Sequence, residues 1–285
     1  MAYVFALLAS VSFALSIQFQ GIGAKGLSGV RAAYFSVVTM TALFWIASPF
    51  LINWSWWLSP AVLIYMMSGL LVPSLGQFAQ IMSVQRVGPN VTSSISPFFS
   101  VFAILPAILF LGETLNIQGW AGLALLITGL VLASWSKPGQ AREWPLIFIA
   151  FPILAAMARG FSQPLNKFGF TILSEPFFAS LVMATTSTVV LIIILKVQHA
   201  TVPPLSELWG RKYMVLSGAL NGLGIFSVQA AIWYGDVSSV APLIGTTPLW
   251  VWLLSTLVFR QQKSTWKHLA MAVFVVAGGT LIILR

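Results

Sequence analysis

The run PFFASLVMATTSTVVLIIIL, residues 176–195, decides the fold of this chain. It holds 20 consecutive residues without a charge, between Glu175 and Lys196. The hydrocarbon core of a bilayer is about 30 Å thick, and about 20 residues of α-helix cross it. A helix also satisfies its own backbone hydrogen bonds inside lipid. The run therefore predicts one membrane-spanning helix.

The rest of the chain has the same apolar character. Of its 285 residues, 59% are hydrophobic and only 7% are charged, whereas soluble domains carry about 25% charged residues. This composition excludes a soluble globular protein, and the absence of cysteine excludes a disulfide framework and thiolate metal sites. Charged and turn-forming residues divide the chain into ten apolar segments. They run near 2–23, 30–52, 61–83, 90–111, 117–135, 145–167, 174–196, 212–235, 238–259 and 265–284.

The ten predicted spans divide into five plus five. Sliding the sequence by 148 residues lays the fourth span on the ninth and the fifth on the tenth, in hydropathy rather than in residue identity. Because each half has an odd number of spans, the two halves cross the membrane in opposite directions. Inverted repeats of this kind place a substrate site between the halves. The sequence therefore predicts an all-α integral membrane protein, in which two inverted five-helix repeats, residues 1–136 and 145–285, surround a central cavity.

Lysine and arginine are concentrated around the odd-numbered loops between the spans. Eleven of the fourteen lie there, and only Lys167 and Arg285 flank the other side. Since basic residues favour the cytoplasmic side, we expect the odd loops in the cytoplasm and both termini outside. We interpret the net charge of +9 as this topology pattern rather than as a nucleic-acid site. The eleven are Lys25, Arg31, Arg86, Lys137, Arg142, Lys196, Arg211, Lys212, Arg260, Lys263 and Lys267.

Acids and histidines are missing from the interior of the predicted spans. A membrane enzyme needs acid–base or metal-binding groups within reach of one another. We therefore expect neither an enzyme nor a metal or other cofactor. Proton transport on a buried carboxylate is not supported either. The acids and histidines that lie in loops or at span ends are Glu113, Glu143, Glu175, Glu207, Asp236, His199 and His268.

Arg159 is the one clear charge within a predicted span. A charge at this depth is costly unless it meets water, a partner or a ligand. Ser162, Gln163 and Asn166 follow it at i+3, i+4 and i+7, so all four side chains share one helix face. The stripe predicts the wall of a polar cavity. The alternative is a structural role, in which Arg159 reaches the interface or pairs with helix carbonyls.

Other spans contribute polar or indole side chains that we assign to the same substrate site. For any one of them, a hydrogen bond between helices is the simpler interpretation. Their concentration in the third, eighth and ninth spans favours a shared cavity, with the two tryptophans stacking on the ligand. They are Gln77 and Gln80 in the third span, Asn221, Gln229 and Trp233 in the eighth, and Thr246 and Trp250 in the ninth.

The stretch LFLGETLNIQGWAG, residues 109–122, resembles the end of an EamA-type repeat of the drug/metabolite transporter superfamily. The resemblance implies ten spans in two inverted halves and the transport of small metabolites. The second half departs from the motif, since glutamine stands at 261–262 where the first half has Glu113. We interpret Glu113, at a helix start, as a cap that the helix dipole favours.

The resemblance and the residues together predict an exporter of small metabolites, most of all of neutral or aromatic amino acids. Arg159 would meet the substrate carboxylate, since a single arginine fits one carboxylate better than a phosphate. Other metabolites or drugs, a channel and a lipid flippase are the alternatives. We expect the bilayer and a small molecule as partners, no nucleic acid, and a bacterial inner-membrane location. A monomer is plausible.

Overall fold

The computed structural model describes residues 1–23, 27–87, 92, 95–134, 145–199, 203, 207, 211–259 and 266–284. Within these ranges, eight helical segments are long and apolar enough to cross a membrane. Two shorter apolar helices, Ser96–Leu111 and Ile117–Leu132, complete the ten. The predicted all-α membrane fold of two inverted five-helix repeats is confirmed.

The ten spans are built from twelve described α-helices. Six belong to the first half of the chain and six to the second. They are α1 Ala2–Gly23, α2 Gly29–Leu51, α3 Ala61–Gly69, α4 Gly76–Arg86, α5 Phe99–Leu111, α6 Ile117–Ser134, α7 Ala150–Phe170, α8 Pro176–Val197, α9 Lys212–Tyr234, α10 Val237–Ile244, α11 Thr247–Leu253 and α12 Trp266–Ile283.

Two of the predicted spans are broken rather than continuous. The third consists of α3 and α4, joined by a π-helical turn in which Val72 has extended backbone angles (φ −139°, ψ 130°). Pro73 follows Val72, and a residue before proline disfavours the helical conformation. The ninth span consists of α10 and α11, which meet at Gly245 and Thr246. Pro248 in the first turn of α11 favours a new helix start there.

Contacts between the spans follow a pseudo-twofold pattern. The first span packs along the eighth, as the sixth packs along the third. The eighth packs on the second as the third packs on the seventh, and the ninth packs on the first as the fourth packs on the sixth. Three further pairs, second with seventh, fourth with ninth and fifth with tenth, are their own counterparts. Each span therefore has the neighbours that the inverted repeat requires.

Two glycines at equivalent positions of the repeats make equivalent contacts. A β carbon at Gly69 of α3 would lie 2.8 Å from the carbonyl oxygen of Met183 in α8. A β carbon at Gly218 of α9 would lie 2.7 Å from the carbonyl oxygen of Ser36 in α2. Gly218 follows Gly69 by 149 residues, and Met183 follows Ser36 by 147. Backbones that approach this closely in a membrane leave no room for a side chain.

Serine hydrogen bonds repeat the same symmetry. The Ser68 hydroxyl of α3 donates to the Ser162 carbonyl of α7 at 3.2 Å. The Ser217 hydroxyl of α9 donates to the Ser16 carbonyl of α1 at 3.0 Å. Such bonds between membrane helices add stability because lipid offers no competing partner. The relation between the repeats thus extends from hydropathy to individual side chains.

The last helix of each repeat, α6 and α12, pairs with the other at the side of the bundle. A β carbon at Gly122 would lie 2.7 Å from the Gly278 carbonyl oxygen, and one at Gly278 would lie 2.5 Å from that of Gly122. Leu126, Leu130 and Met271 belong to a small core that joins this pair to α11. That core is separate from the main core of the bundle.

Candidate substrate-binding site

Arg159 lies near the middle of α7, and its guanidinium donates a hydrogen bond to the Gln80 amide oxygen of α4. Its aliphatic stem passes Gly76, where a β carbon would be 3.6 Å from the Arg159 Cγ. The break at Val72 sets the direction of α4, and thereby places Gln80 opposite α7. The structure therefore brings together two of the residues that the sequence assigns to the site.

A small cavity lies beside the Arg159 side chain, on the side where α7 begins. Its volume is about 10 Å³, which is room for about one water molecule. Arginine side chains in a helix point toward its N-terminus. The cavity is lined by residues that precede Arg159 in α7, so it lies on the side toward which that side chain points. The lining residues are Gln80, Thr92, Ser96, Pro152, Ala155, Ala156 and Arg159.

No acid in the described part of the chain balances the charge of Arg159. Among the residues that the structure describes, Arg159 forms no ion pair, and its partner Gln80 is neutral. The described acids, Glu113, Glu175, Glu207 and Asp236, lie outside the membrane-spanning helices. The same part of the chain contains no group of three acids or histidines that could hold a metal ion. The site is thus electropositive in a low-dielectric environment, where an anionic group is attracted strongly.

Three predicted site residues carry amide groups that are buried in the main bundle. Gln163 and Asn166 of α7 are 5% and 1% exposed, and Gln229 of α9 is 1% exposed. Their three side-chain oxygens are enclosed and accept no hydrogen bond from the residues that the structure describes. The Gln229 nitrogen donates to the Met183 sulfur of α8 at 2.9 Å. We refer to these three amides together as the amide cluster.

Lys167 fixes the relative level of the two helices that carry the amide cluster. Its ammonium group donates to the carbonyls of Ile232 at 2.9 Å and Gly235 at 2.8 Å, at the end of α9. Gln163 lies one turn before Lys167, and Gln229 lies one turn before Ile232. Since the sixth and eighth spans run in the same direction, the two amides stand at the same depth.

Trp233 lies at the end of α9 rather than beside Arg159. It is 39% exposed, and its indole nitrogen donates to the Ser174 hydroxyl at 2.5 Å. Its ring contacts Tyr234, with centroids 4.5 Å apart. These contacts place Trp233 near the loop that joins α7 and α8.

The remaining predicted site residues lie on other elements. Thr246 is buried at the junction of α10 and α11, and its hydroxyl donates to the carbonyl of Leu243 within the same span. Trp250 lies on α11, which packs on α1, and its enclosed indole nitrogen has no partner in the described chain. Asn221 is half-buried on α9. The side chain of Gln77 lies outside the described part of the structure.

Glu113 has a structural role that differs from the one expected. Its two carboxylate oxygens accept hydrogen bonds from the backbone nitrogens of Val237 and Ser238, each at 2.8 Å. Glu113 therefore caps α10 of the second repeat, whereas the sequence suggested a cap on its own neighbouring helix. The short turn after α9 brings the start of α10 to the end of the bundle where Glu113 lies. A cap between residues so far apart in the sequence cannot be recognised from the local sequence pattern.

Glu113 and Lys167 together hold the turn between α9 and α10, and we call this arrangement the α9–α10 clamp. The cation binds carbonyls at the end of α9, and the anion binds N–H groups at the start of α10. Both contacts match the helix dipoles. In the sequence, Lys167 is an exception to the loop charge pattern. That exception is the signal from which its role could have been inferred.

An apolar groove lies on the outer side of the third and sixth spans. Its volume is about 390 Å³. Leu154 and Phe161 on its wall are 40% and 38% exposed, so the groove faces the lipid. Its lining residues are Leu71, Leu75, Leu154, Met157, Ala158, Phe161 and Leu165.

Both halves of the chain match the model of one protein family. The match to the EamA-like transporter family covers residues 1–135 and again residues 145–284. The chain belongs to the EamA-like transporter family. This EamA-like protein is an integral multi-pass membrane protein, and its family transports small molecules. Family members are transporters rather than enzymes.

Two individual proteins illustrate the likeness. A WAT1-related protein from Arabidopsis thaliana is 25% identical over 147 residues, which are 50% of this EamA-like chain and 39% of the plant protein. The aligned part thus spans well under half the length of that curated relative. A protein of known crystal structure superposes with a TM-score of 0.80 and 13% identity, covering 99% of this chain and 96% of that chain. At this identity the superposition establishes the fold alone.

Proposed function

We propose that this EamA-like transporter exports small metabolites with one carboxylate, above all neutral or aromatic amino acids, by alternating access. The observation that carries the proposal is the Arg159 guanidinium, which lies within the spans and is bound to the neutral Gln80. A cation at this depth is unfavourable without a counter-charge. A substrate carboxylate supplies that charge and can accept two parallel hydrogen bonds from the guanidinium.

The charge of the site also favours one class of substrate over others. A single guanidinium balances a monoanion, whereas a phosphate with two charges usually attracts more than one basic residue. A lipophilic cation would be repelled by Arg159. The indole of Trp250, whose nitrogen is enclosed, is assigned to the same site. Its ring would contact an apolar or aromatic substrate body. These properties together describe a neutral or aromatic amino acid.

The two ends of the bundle differ in a way that supports alternating access. The α9–α10 clamp holds the end at which the even-numbered loops lie, while the small cavity beside Arg159 lies toward the odd-numbered loops. With the odd loops in the cytoplasm, a substrate enters from the cytoplasm and leaves when the clamp opens. We place the protein in a bacterial plasma membrane. Because the described spans contain no carboxylate, we expect facilitated efflux without proton coupling.

Counterflow in proteoliposomes tests the proposal. Wild type, Arg159→Gln and Arg159→Lys are compared, with radiolabelled phenylalanine and leucine as probes. Lys196→Gln is the matched control, because it removes one positive charge from an exposed helix end. We expect saturable exchange by the wild type and the control, and a loss of at least about tenfold for Arg159→Gln. Arg159→Lys should be intermediate, since lysine keeps the charge but not the paired hydrogen bonds.

Exchange that survives Arg159→Gln would contradict a carboxylate site at this residue. A rate that depends on an imposed proton gradient would contradict facilitated efflux. Non-saturable flux without counterflow would instead indicate a channel.

The apolar groove favours one second candidate, movement of an anionic lipid. The groove faces the bilayer, and Ala158 on its wall precedes Arg159 in α7, so acyl chains could occupy the groove if the arginine side chain turned to meet the headgroup. Translocation of a fluorescent phosphatidylglycerol in the same proteoliposomes tests this alternative. Lipid movement that is lost in Arg159→Gln, together with no exchange of amino acids, would replace the first proposal by the second.

A further inference from the structure

We propose that the amide cluster, formed by Gln163, Asn166 and Gln229, is a second binding station that takes the amino group of the substrate. This inference rests on the proposed function, and it assigns to the site a chemistry that Arg159 alone does not supply. It also predicts that the transporter distinguishes an amino acid from the same acid without its amino group.

The first argument is the unusual state of the three amide oxygens. Each is enclosed by protein and accepts no hydrogen bond in the described chain. An enclosed acceptor without a donor is destabilising, and three such atoms lie on two neighbouring helices. Buried polar groups in folded proteins are nearly always paired. The missing donors are therefore expected to come from outside the protein.

The second argument is that the three amides lie within about one helical turn of the same depth, on two spans that pack among four. Gln163 and Gln229 are level because Lys167 joins their helices one turn further on. Asn166 lies one turn after Ser162, whose carbonyl is bound by Ser68 of α3. The third, sixth, seventh and eighth spans therefore meet around the amide cluster.

A second chain of contacts reaches Gln229 from the same place. Gly69, the neighbour of Ser68, packs against the backbone of Met183 in α8. The Met183 sulfur in turn accepts a hydrogen bond from the Gln229 nitrogen. Because a thioether sulfur can only accept, this contact keeps the Gln229 nitrogen on the sulfur and leaves its oxygen free.

The third argument is the match between these acceptors and an ammonium group. An ammonium group offers three N–H donors and no acceptor, and the cluster offers three amide oxygens. A carboxylate would bring oxygen against oxygen and is disfavoured. The amide cluster therefore selects the ammonium group of an amino acid, and Arg159 selects its carboxylate.

The two stations are separate along α7. Gln163 and Asn166 follow Arg159 by four and seven residues, which is about 6 and 10 Å along the helix axis. The Arg159 side chain points the other way, toward the start of α7, where its cavity lies. An α-amino acid carries both groups on one carbon, so it occupies the stations in turn. The carboxylate is captured at Arg159 first, and the amino group reaches the amide cluster as the substrate moves inward.

The test replaces the three amides with apolar side chains of similar size, Gln163→Met, Asn166→Leu and Gln229→Met, singly and together. Gln118→Met is the control, because Gln118 is an exposed amide on α6. Counterflow of labelled phenylalanine is competed with unlabelled phenylalanine or with 3-phenylpropanoate, which lacks the amino group. Thermal unfolding without substrate is measured on the same purified proteins.

We expect wild type and Gln118→Met to prefer phenylalanine over 3-phenylpropanoate by roughly tenfold or more, since a site built to bind a donor rejects the analogue that lacks it. The triple variant should lose this preference and gain Tm, because unpaired buried amides are removed. Arg159→Gln should weaken both competitors alike.

Three results would overturn the station. They are an unchanged preference in the triple variant, a lower Tm in every amide variant, or equal competition by the two compounds in the wild type. The last result would leave the carboxylate site of the proposed function intact. A wild type that exchanges neither compound overturns the proposed function, and the station with it.

Discussion

Glu113→Gln removes the acidic half of the α9–α10 clamp. The carboxylate accepts hydrogen bonds from the backbone nitrogens of Val237 and Ser238 at 2.8 Å each. Glutamine keeps one acceptor but turns an NH₂ group toward the second backbone N–H. A hydrogen bond to a charged group contributes about 1.5–3 kcal/mol. Glu113 is only half-buried, so solvent weakens these hydrogen bonds. We expect the closed state of this end of the bundle to lose about 2 kcal/mol of stability relative to its open state.

A loss of about 2 kcal/mol raises the population of the open end by about 30-fold. The chain has no cysteine, so a single Val240→Cys gives a unique thiol. Val240 is fully buried in α10, close to Gly235 in the clamped turn. Its reaction with a membrane-impermeant maleimide reports how often this end opens. We expect Glu113→Gln, in the Val240→Cys background, to speed the labelling by about 30-fold.

Glu175→Gln is the matched control in the same background. Glu175 lies in an even-numbered loop like Glu113, but its side chain makes no capping hydrogen bond to α8. Its labelling rate should therefore stay close to that of the parent protein. If Glu113→Gln labels within about twofold of the control, the carboxylate does not hold this end closed and the reasoning is refuted.

Three further predictions concern packing, the basic half of the clamp and pH. Gly69→Ala and Gly218→Ala should each lower Tm by the equivalent of about 1–3 kcal/mol, because the added β carbons would lie 2.8 and 2.5 Å from neighbouring atoms. Gly21→Ala is their control, with nothing within 4 Å, and an equal loss there would contradict the packing argument. Lys167→Met should speed labelling at the Val240→Cys position, since two carbonyls at the end of α9 lose a charged donor; an unchanged rate would leave Glu113 as the sole clamp. Burial raises the pKa of Glu175 above its ordinary value of 4.5. The folded protein therefore binds this proton more tightly than the unfolded protein does, and the wild type loses stability as pH rises through this range. The Tm of Glu175→Gln should exceed that of the wild type above about pH 4.5 and equal it at lower pH, whereas a constant difference would contradict the shift.

The fold could be predicted from the sequence because lipid imposes a strong and local rule. Twenty apolar residues cross a bilayer whatever their identity, so the spans appeared in hydropathy. The symmetry between repeats did not appear in residue letters, because it is carried by backbone proximity at Gly69 and Gly218 and by offsets that vary between 146 and 149 residues. Prolines stand inside several predicted spans, but the sequence could not show that the third and ninth spans would break there, since proline is common in membrane helices and its effect depends on neighbours.

The candidate site was predictable only in part. Helical spacing placed Arg159, Gln163 and Asn166 on one face, and the structure keeps them on α7. Spacing within one helix could not show which other helix faces them. In the structure, Gln80 of α4 binds Arg159, whereas Trp233 lies near the loop that joins α7 and α8. Long-range polar contacts depend on packing between distant segments.

The α6–α12 pair joins the two repeats by direct contact between their backbones. Each repeat ends in a helix that is locked to the other by glycine backbones at Gly122 and Gly278. Backbones that approach this closely leave no room for a side chain between the two helices, so neither helix can slide along the other without a clash. If the two repeats change their relative position during the proposed transport cycle, we therefore expect this contact to move least and the other contacts between the repeats to change more.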